Sequence, residues 1–181
     1  NAGVFLIIYI VITLFSDLPK KYIFYFCLFM VVTLPLGWNF MKDYQRERII
    51  SFIKPQIDTQ GISYNMTQAV ITVGSGKFAG RGLGLGTQSR LYFLPENHTD
   101  FAFSSLVEQF GFLGGFTVII LYLIICALLV KRILLVYYLK DFKDKKNFLY
   151  LVGFLTYFVF QILVNIGMNL GLFPVTGIAL A

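Results

Sequence analysis

The stretch GFLGGFTVIILYLIICALLV, Gly111–Val130, decides the fold class because no charged side chain interrupts it. A helix that crosses the hydrocarbon core of a bilayer needs about 20 mainly apolar residues. The whole chain of 181 residues agrees with this reading, since it is 57% hydrophobic and only 13% charged, and its mean hydropathy is +0.76. A soluble domain of this size could not bury that much apolar surface. The sequence therefore predicts an all-α integral membrane protein.

Three further apolar runs accompany this one, at Ala2–Phe15, Tyr22–Met41 and Phe148–Leu170. The first is too short for a complete span, so we expect it to be the end of a helix that begins upstream. The predicted organisation is two transmembrane helices in residues 1–41, a large polar loop in residues 42–110, and two more helices in residues 111–181. We accordingly expect the chain to be a fragment of a longer polytopic protein.

The charges predict the orientation of these helices. The formal net charge is +6, and basic residues gather in the short turn Ser16–Lys21 and the connector Lys131–Asn147. Short basic connectors remain on the cytoplasmic side of a membrane. This distribution explains the positive charge without a nucleic-acid partner, and it places residues 42–110 on the outer face of the cytoplasmic membrane.

The apolar runs themselves contain no Asp, Glu, Lys, Arg or His. Ion-coupled transporters usually carry such a group within the membrane, so the pattern disfavours a transporter. The last run does carry Gln161, Asn165 and Asn169, which their four-residue spacing places on one helical face. We expect hydrogen bonds between helices from this face, with a direct ligand role as the alternative.

The densest set of catalytic side-chain types lies in YFLPENHTDFAFSSLVEQFGF, Tyr92–Phe112. It contains Glu96, His98, Asp100 and Glu108. Thr99 is a good N-cap residue for a helix over about residues 100–110. An acid at the start of such a helix is either a stabiliser of the helix dipole or a general base.

The predicted helix has two distinct faces. Phe103, Leu106, Val107 and Phe110 form an apolar face, and Asp100, Ser104 and Glu108 follow one another at four-residue spacing on another face.

Basic residues elsewhere in the loop are candidates for binding an anion. Arg48 lies just beyond the second span, where it can pair with a lipid pyrophosphate or simply reach the lipid headgroups. Lys77 and Arg81 lie among the glycines of Val73–Ser89. Glycine amides approach ligands closely, so these residues and amides can form an anion cradle. A purely structural series of turns is the alternative for the glycines.

Three phrases of the sequence resemble the SEDS family of cell-wall polymerases. They are YQRERI at Tyr44–Ile49, the run VGSGKFAGRGLGLGTQSRLYFLPENHTDFAFSSLVEQFGFLG at Val73–Gly114, and NIGMNLGLFPVTGI at Asn165–Ile178. The GTQS and NIGM wording is closer to the RodA branch of the family than to the FtsW branch.

The resemblance implies a fold of about ten helices that polymerises lipid II into glycan strands outside the cytoplasmic membrane. It also implies a class B penicillin-binding protein as partner, in elongation or in division. The family's catalytic aspartate, in its HTDF phrase, corresponds to Asp100. Without the other helices, the fragment is expected to be inactive alone.

The resulting hypothesis is glycosyl transfer with inversion, in which Asp100 is the general base. Charge neutralisation at the pyrophosphate would come from Arg48, Lys77 and Arg81, or from a divalent cation such as Mg²⁺ or Mn²⁺. The other residues expected to bind substrate are Gln88, Glu96, His98, Thr99 and Glu108. Of these, Glu96 and His98 would alternatively position Asp100 or bind a metal. Two rivals remain: a flippase for the lipid-linked precursor, and a non-catalytic scaffold for the penicillin-binding protein.

Overall fold

A computed structural model describes residues 2–40, 42–43, 46, 50, 62–91, 93–94, 98–138 and 144–175. All regular secondary structure in these ranges is helical. The helices are α1 (Ala2–Phe15), α2 (Lys21–Phe40), α3 (Ile62–Ser75), α4 (Thr87–Arg90), α5 (Ala102–Tyr138) and α6 (Asp144–Asn169).

Four of these helices, α1, α2, α5 and α6, contain or overlap the predicted apolar runs, whereas α3 and α4 lie within the predicted loop. Within the described ranges, two segments have the length and apolar composition of membrane spans, Ala102–Tyr138 and Lys145–Asn169, and Gly3–Phe15 is a shorter apolar helix. The basic connector predicted for Lys131–Asn147 is partly helical instead, because α5 continues to Tyr138 and α6 already begins at Asp144. Helices longer than the bilayer core extend past its surface in this way.

By internal packing the chain divides into two units, Asn1–Asp43 with Ile124–Phe160, and Tyr44–Leu123 with Gln161–Ala181. In the first unit, Gly153 of α6 lies against α1, where an added Cβ would come within 3.2 Å of Ile12. Asp17, in the turn after α1, forms an ion pair with Lys145 at the start of α6. The two basic connectors therefore meet at the same end of this unit.

The second unit contains α3, the glycine-rich loop, α4 and the beginning of α5. Its apolar core is formed by Ala69, Leu94 and Phe101, against which Val175 packs. Ala69 lies on α3, so the core joins this short helix to the segment that leads into α5.

A break in α5 at Gly111 connects that helix to the glycine-rich loop. Gly111 has φ 70° and ψ −166°, a conformation that is essentially restricted to glycine. The break separates Phe112 N–H and Leu113 N–H from the carbonyls of Glu108 and Gln109, their partners in a regular helix.

The loop supplies replacements for these lost helical bonds. Lys77 O accepts from Phe112 N–H at 2.9 Å and Phe78 O accepts from Leu113 N–H at 3.3 Å. In return, Glu108 O accepts from Arg81 N–H at 2.9 Å and Gln109 O accepts from Gly82 N–H at 3.0 Å; all four groups freed by the break thus bond to the loop.

The start of α5 differs from the prediction in two ways. The helix begins at Ala102 rather than at Asp100, because the Asp100 carbonyl bonds to side chains of α6 instead of to Ser104 N–H. The polar face is also buried: Ser104 and Glu108 are both 0% exposed, whereas Phe110 of the predicted apolar face is 46% exposed. Neighbouring segments cover the polar face and supply its hydrogen-bond partners.

Candidate functional site

The carboxylate of Glu108 lies at the centre of the loop. Its Oε1 accepts from Gln88 N–H at 2.8 Å, and its Oε2 accepts from Ser89 N–H at 3.0 Å and from Ser89 Oγ at 2.7 Å. The hydroxyls of Ser75 and Thr87 approach Oε1 at 3.4 and 3.5 Å. One buried side chain therefore holds the end of α3 and the whole of the turn that begins α4.

Glu108 precedes both the break at Gly111 and the uncharged run Gly111–Val130, which is the part of α5 predicted to span the membrane. Burial raises the pKa of its carboxyl group, but hydrogen bonds from Gln88 and Ser89 lower it, and so does the charge of Arg81. The net result is a pKa below the ordinary value. Glu108 is therefore an anion at neutral pH, and hydrogen bonds from the loop stabilise its charge.

Lys77 and Arg81 line an open cavity of about 460 Å³, together with Ser75, Gly76, Gly80 and Leu85. The Arg81 guanidinium is held in place, since Nε donates to Ser75 O at 3.3 Å and Nη1 donates to Thr87 Oγ1 at 3.0 Å. Lys77 is exposed and has a φ of 49°. Both predicted cationic residues thus line the same cavity, and hydrogen bonds hold the Arg81 side chain there.

The loop amides do not contribute to an anion site in the way the sequence suggested. Gly76 N–H donates to Val73 O, Gly80 N–H to Gly76 O, Gly82 N–H to Gln109 O, and Gly84 N–H to Gln109 Oε1. The prediction of an amide cradle is therefore wrong for these four glycines, because their N–H groups already donate to oxygen atoms of the protein. Any anion in the cavity would be bound by the side chains of Lys77 and Arg81.

A second cavity of about 320 Å³ contains His98, the predicted histidine. Its other described lining residues are Gly84, Gly86, Ser89, Arg90, Ser105 and Gln109. Sequence reasoning overlooked Arg90 and Gln109. Arg90 follows the GTQS phrase directly, but only folding of the loop onto α5 brings it beside a residue that lies eight positions later.

Asp100 lies in the turn that leads into α5 and is partly buried, whereas Thr99 and His98 before it are exposed. The carbonyl oxygen of Asp100 accepts from Asn169 Nδ2 at 3.0 Å and from Asn165 Nδ2 at 3.3 Å. This carbonyl is therefore bonded to α6. The hydrogen bonds predicted for the polar face of α6 are confirmed for Asn165 and Asn169, whereas for Gln161 this role stays a prediction.

The remaining predicted site residues have varied placements. Arg48 and Glu96 lie outside the described residues. Gln88 takes part through its main-chain N–H, and its side-chain Oε1 is buried with no hydrogen-bond partner among the residues that the structure describes. Thr99 does not cap a helix that begins at Asp100, because α5 begins later.

The described part of the chain contains no group of three or more His, Cys, Asp or Glu residues close enough to hold a metal ion. Mg²⁺ is commonly bound by one or two carboxylates together with substrate phosphates. A divalent cation therefore stays a prediction.

Comparison with known proteins gives a consistent result. A family model described as "Cell cycle protein", for FtsW, RodA and SpoVE, matches residues 1–181. The chain is 39% identical over 139 residues to a "Putative peptidoglycan glycosyltransferase FtsW" of Mesostigma viride, covering 77% of this chain and 32% of that protein. It is 38% identical over 145 residues to "Peptidoglycan glycosyltransferase RodA" of Treponema pallidum (strain Nichols), covering 80% and 32%.

A third relative is "Peptidoglycan glycosyltransferase MrdB" of Escherichia coli (strain K12), 39% identical over 150 residues, with 81% of this chain and 38% of that protein covered. The chain thus spans about a third of the length of these curated relatives. A solved structure, "Structural coordination of polymerization and crosslinking by a peptidoglycan synthase complex", matches with a TM-score of 0.69 and 28% identity, over 99% of this chain and 47% of that one.

Proposed function

Because the chain belongs to the FtsW, RodA and SpoVE family of cell cycle proteins, we propose that it forms the catalytic loop and adjoining helices of a peptidoglycan glycosyltransferase. The substrate would be lipid II, polymerised into glycan strands. The relatives named as glycosyltransferases support this activity. A class B penicillin-binding protein is the proposed partner, supported by the likeness to a peptidoglycan synthase complex.

The observation that carries the proposal is that the first turns of α5 adjoin the Asp100 turn at one end and hold the glycine-rich loop at the other. At their beginning lies the Asp100 turn, held through its carbonyl. Two turns later, Glu108 holds the loop that presents Lys77 and Arg81 to the larger cavity. Asp100 and the cationic cavity are therefore both joined to the first turns of α5 within one unit of the fold, which supports transfer from a lipid pyrophosphate.

In the proposed reaction, Asp100 accepts the proton of the 4-hydroxyl group of an acceptor N-acetylglucosamine. The oxygen attacks the anomeric carbon of the donor sugar, whose bond to the lipid pyrophosphate breaks with inversion. The leaving group departs as a stable anion, so it needs positive charge more than a proton. Lys77 and Arg81 are described residues that can supply that charge, and Arg48 is a further candidate.

A divalent cation, Mg²⁺ or Mn²⁺, stays part of the proposal as a second source of positive charge. Bound, it would neutralise the pyrophosphate, with Glu96 and His98 as its candidate protein ligands and Asp100 left free to act as base. Polymerisation measured with increasing Mg²⁺ or Mn²⁺ after treatment with EDTA tests this. Full activity in EDTA would remove the cation from the proposal and leave Lys77 and Arg81 as the neutralising groups.

The decisive experiment compares lipid II polymerisation by the purified full-length protein with that of its Asp100→Asn variant. The substitution preserves the size of the side chain and removes the base, so we expect a loss of about 10²-fold or more in kcat. Asp17→Asn is the matched control, since Asp17 is exposed in the short turn after α1. Polymer formation at the normal rate by folded Asp100→Asn would reject Asp100 as base.

The same assay separates the rival functions. A flippase would move labelled lipid II across vesicle membranes without making polymer. A scaffold would tolerate Asp100→Asn and fail only when binding of the penicillin-binding protein is lost. Measuring transport and partner binding beside polymerisation gives each alternative its own readout.

A further inference from the structure

The end of α6 caps the beginning of α5. The Oδ1 atom of Asn169 accepts from Ser104 N–H at 3.0 Å and from Ser104 Oγ at 2.6 Å. Ser104 lies in the first turn of α5, where main-chain N–H groups have no partner within their own helix. A residue far along the chain thus performs the task that an N-cap side chain usually performs locally.

The same asparagine also holds the residue that precedes the helix. Asn169 Nδ2 donates to Asp100 O at 3.0 Å and to Asn165 Oδ1 at 3.2 Å. Asn165 Nδ2 reaches the same Asp100 carbonyl at 3.3 Å. Two side chains one helical turn apart on α6 therefore converge on the main chain of the proposed catalytic residue.

All three side chains of this network, those of Ser104, Asn165 and Asn169, are 0% exposed. Hydrogen bonding between helices would explain buried asparagines in general. It does not explain why both amides donate to one main-chain carbonyl. Fixing this carbonyl restricts the rotation of the peptide unit next to the Asp100 side chain.

We propose that Asn165 and Asn169 are positioning residues, which hold the Asp100 turn on α6 so that its carboxylate meets the acceptor hydroxyl. This inference rests on the proposed function. It predicts a defect in the chemical step, because a shift of about 1 Å at a reacting group can reduce the rate about 10²-fold. Substrate binding by Lys77 and Arg81 should change little.

Two variants separate positioning from capping. Asn169→Asp retains an oxygen for Ser104 N–H and Oγ but has no N–H for the Asp100 carbonyl. Ser104→Ala weakens the cap instead, since it removes the hydroxyl bond to Asn169, keeps the main-chain N–H bond, and leaves both amide donations to Asp100 intact. Asn169→Ala removes both functions. Asn147→Ala is the matched control, an exposed asparagine of the same helix.

Steady-state polymerisation and melting temperature are measured for each full-length variant. We expect Asn169→Asp to melt above Asn169→Ala yet to lose kcat about tenfold or more, with KM for lipid II within about twofold of wild type. Ser104→Ala should retain kcat within about threefold of wild type. If Ser104→Ala loses as much kcat as Asn169→Ala, or if kcat follows melting temperature in every variant, the network is only structural and the proposal fails.

Asn165→Ala keeps the inference testable if burial of a charge prevents Asn169→Asp from folding. It removes one of the two donors to Asp100, so we again expect kcat to fall while KM remains near that of wild type. Unchanged kcat in this folded variant would reject the inference. Asp100→Asn in the same assay distinguishes the two hypotheses, because active Asp100→Asn would instead refute the proposed function.

Discussion

The Glu108 carboxylate shows how one buried side chain can organise a loop. A carboxylate that accepts several hydrogen bonds is stable as an anion even when water is excluded. Here the donors are Gln88, Ser89 and two further hydroxyl groups, all of them from the segment that Glu108 holds. We therefore assign Glu108 the task of shaping the two cavities, and substrate contact by its carboxylate stays a prediction.

The pH dependence of stability tests this role. Because hydrogen bonds and Arg81 hold the pKa of Glu108 below its usual value of 4.5, its stabilising contribution is complete above that value and is lost as the pH falls through the lower pKa of the folded state. We expect wild type to lose melting temperature more steeply than Glu108→Gln between about pH 6 and about pH 3.5. Equal slopes would contradict the assignment, and Asp17→Asn controls for removal of a surface carboxylate.

Lys77 makes a separate prediction about substrate binding. Its side chain is exposed and lines the larger cavity, so Lys77→Gln should remove attraction for a pyrophosphate without disturbing the packed loop. Because Lys77 would also neutralise the pyrophosphate as it leaves, we expect kcat/KM for lipid II to fall about tenfold or more. Lys20→Gln, in the short basic turn, is the control. Unchanged kcat/KM in folded Lys77→Gln would contradict this role.

At the scale of elements, the break in α5 makes the loop and the helix interdependent. Each element satisfies main-chain groups of the other, and unpaired main-chain groups are costly away from water. The close approach of the two backbones depends on glycine: a Cβ at Gly111 would collide with Gly80 N and with Phe78 O. The fold of the loop and the break in the helix therefore depend on each other.

Substitution of these glycines should expose that dependence. Gly111→Ala forces a side chain into a glycine-only conformation, which costs about 1–3 kcal/mol before the collision with the loop is counted. We expect a clear fall in melting temperature in detergent and loss of polymerisation. Gly74→Ala is the matched control, since nothing lies within 4 Å of its Cβ position and alanine favours a helix by up to about 1 kcal/mol. Similar melting temperatures for the two variants would contradict the dependence.

At the scale of the whole molecule, the chain is an all-α membrane protein of the FtsW, RodA and SpoVE family. Apolar run length was sufficient to predict α1, α2 and α6, because segments that cross a bilayer must satisfy their own main-chain hydrogen bonds as helices. The asparagine face of α6 could also be predicted, from spacing alone. The residues that this face contacts could not be predicted, since nothing local in the sequence links Asn169 to Ser104.

The loop shows the limit of local reasoning most clearly. Glycine spacing suggested free amides, but Gly82 N–H bonds to the Gln109 carbonyl released by the break at Gly111. The N–H groups of Gly76, Gly80 and Gly84 bond to Val73 O, Gly76 O and Gln109 Oε1. Hydrophobic periodicity predicts neither the break nor the hydrogen-bond partners at the break, because the sequence pattern of a helix continues through Gly111. The burial of Glu108 could not be predicted either, because it depends on the fold of residues that precede it in the chain; its contact with substrate stays a prediction.

Orientation in the membrane is the last prediction, and it concerns the whole chain. The ion pair between Asp17 and Lys145 brings the two basic connectors to one end of their unit, which the positive-inside tendency places in the cytoplasm. In a background without Cys27 and Cys126, Leu83→Cys should react with a membrane-impermeant maleimide on intact cells, and Tyr138→Cys only after permeabilisation. Both wild-type side chains are 77% exposed, so unequal labelling reflects the side of the membrane. Labelling of Tyr138→Cys alone on intact cells would reverse the proposed topology and place the glycine-rich loop in the cytoplasm, away from the site of glycan polymerisation.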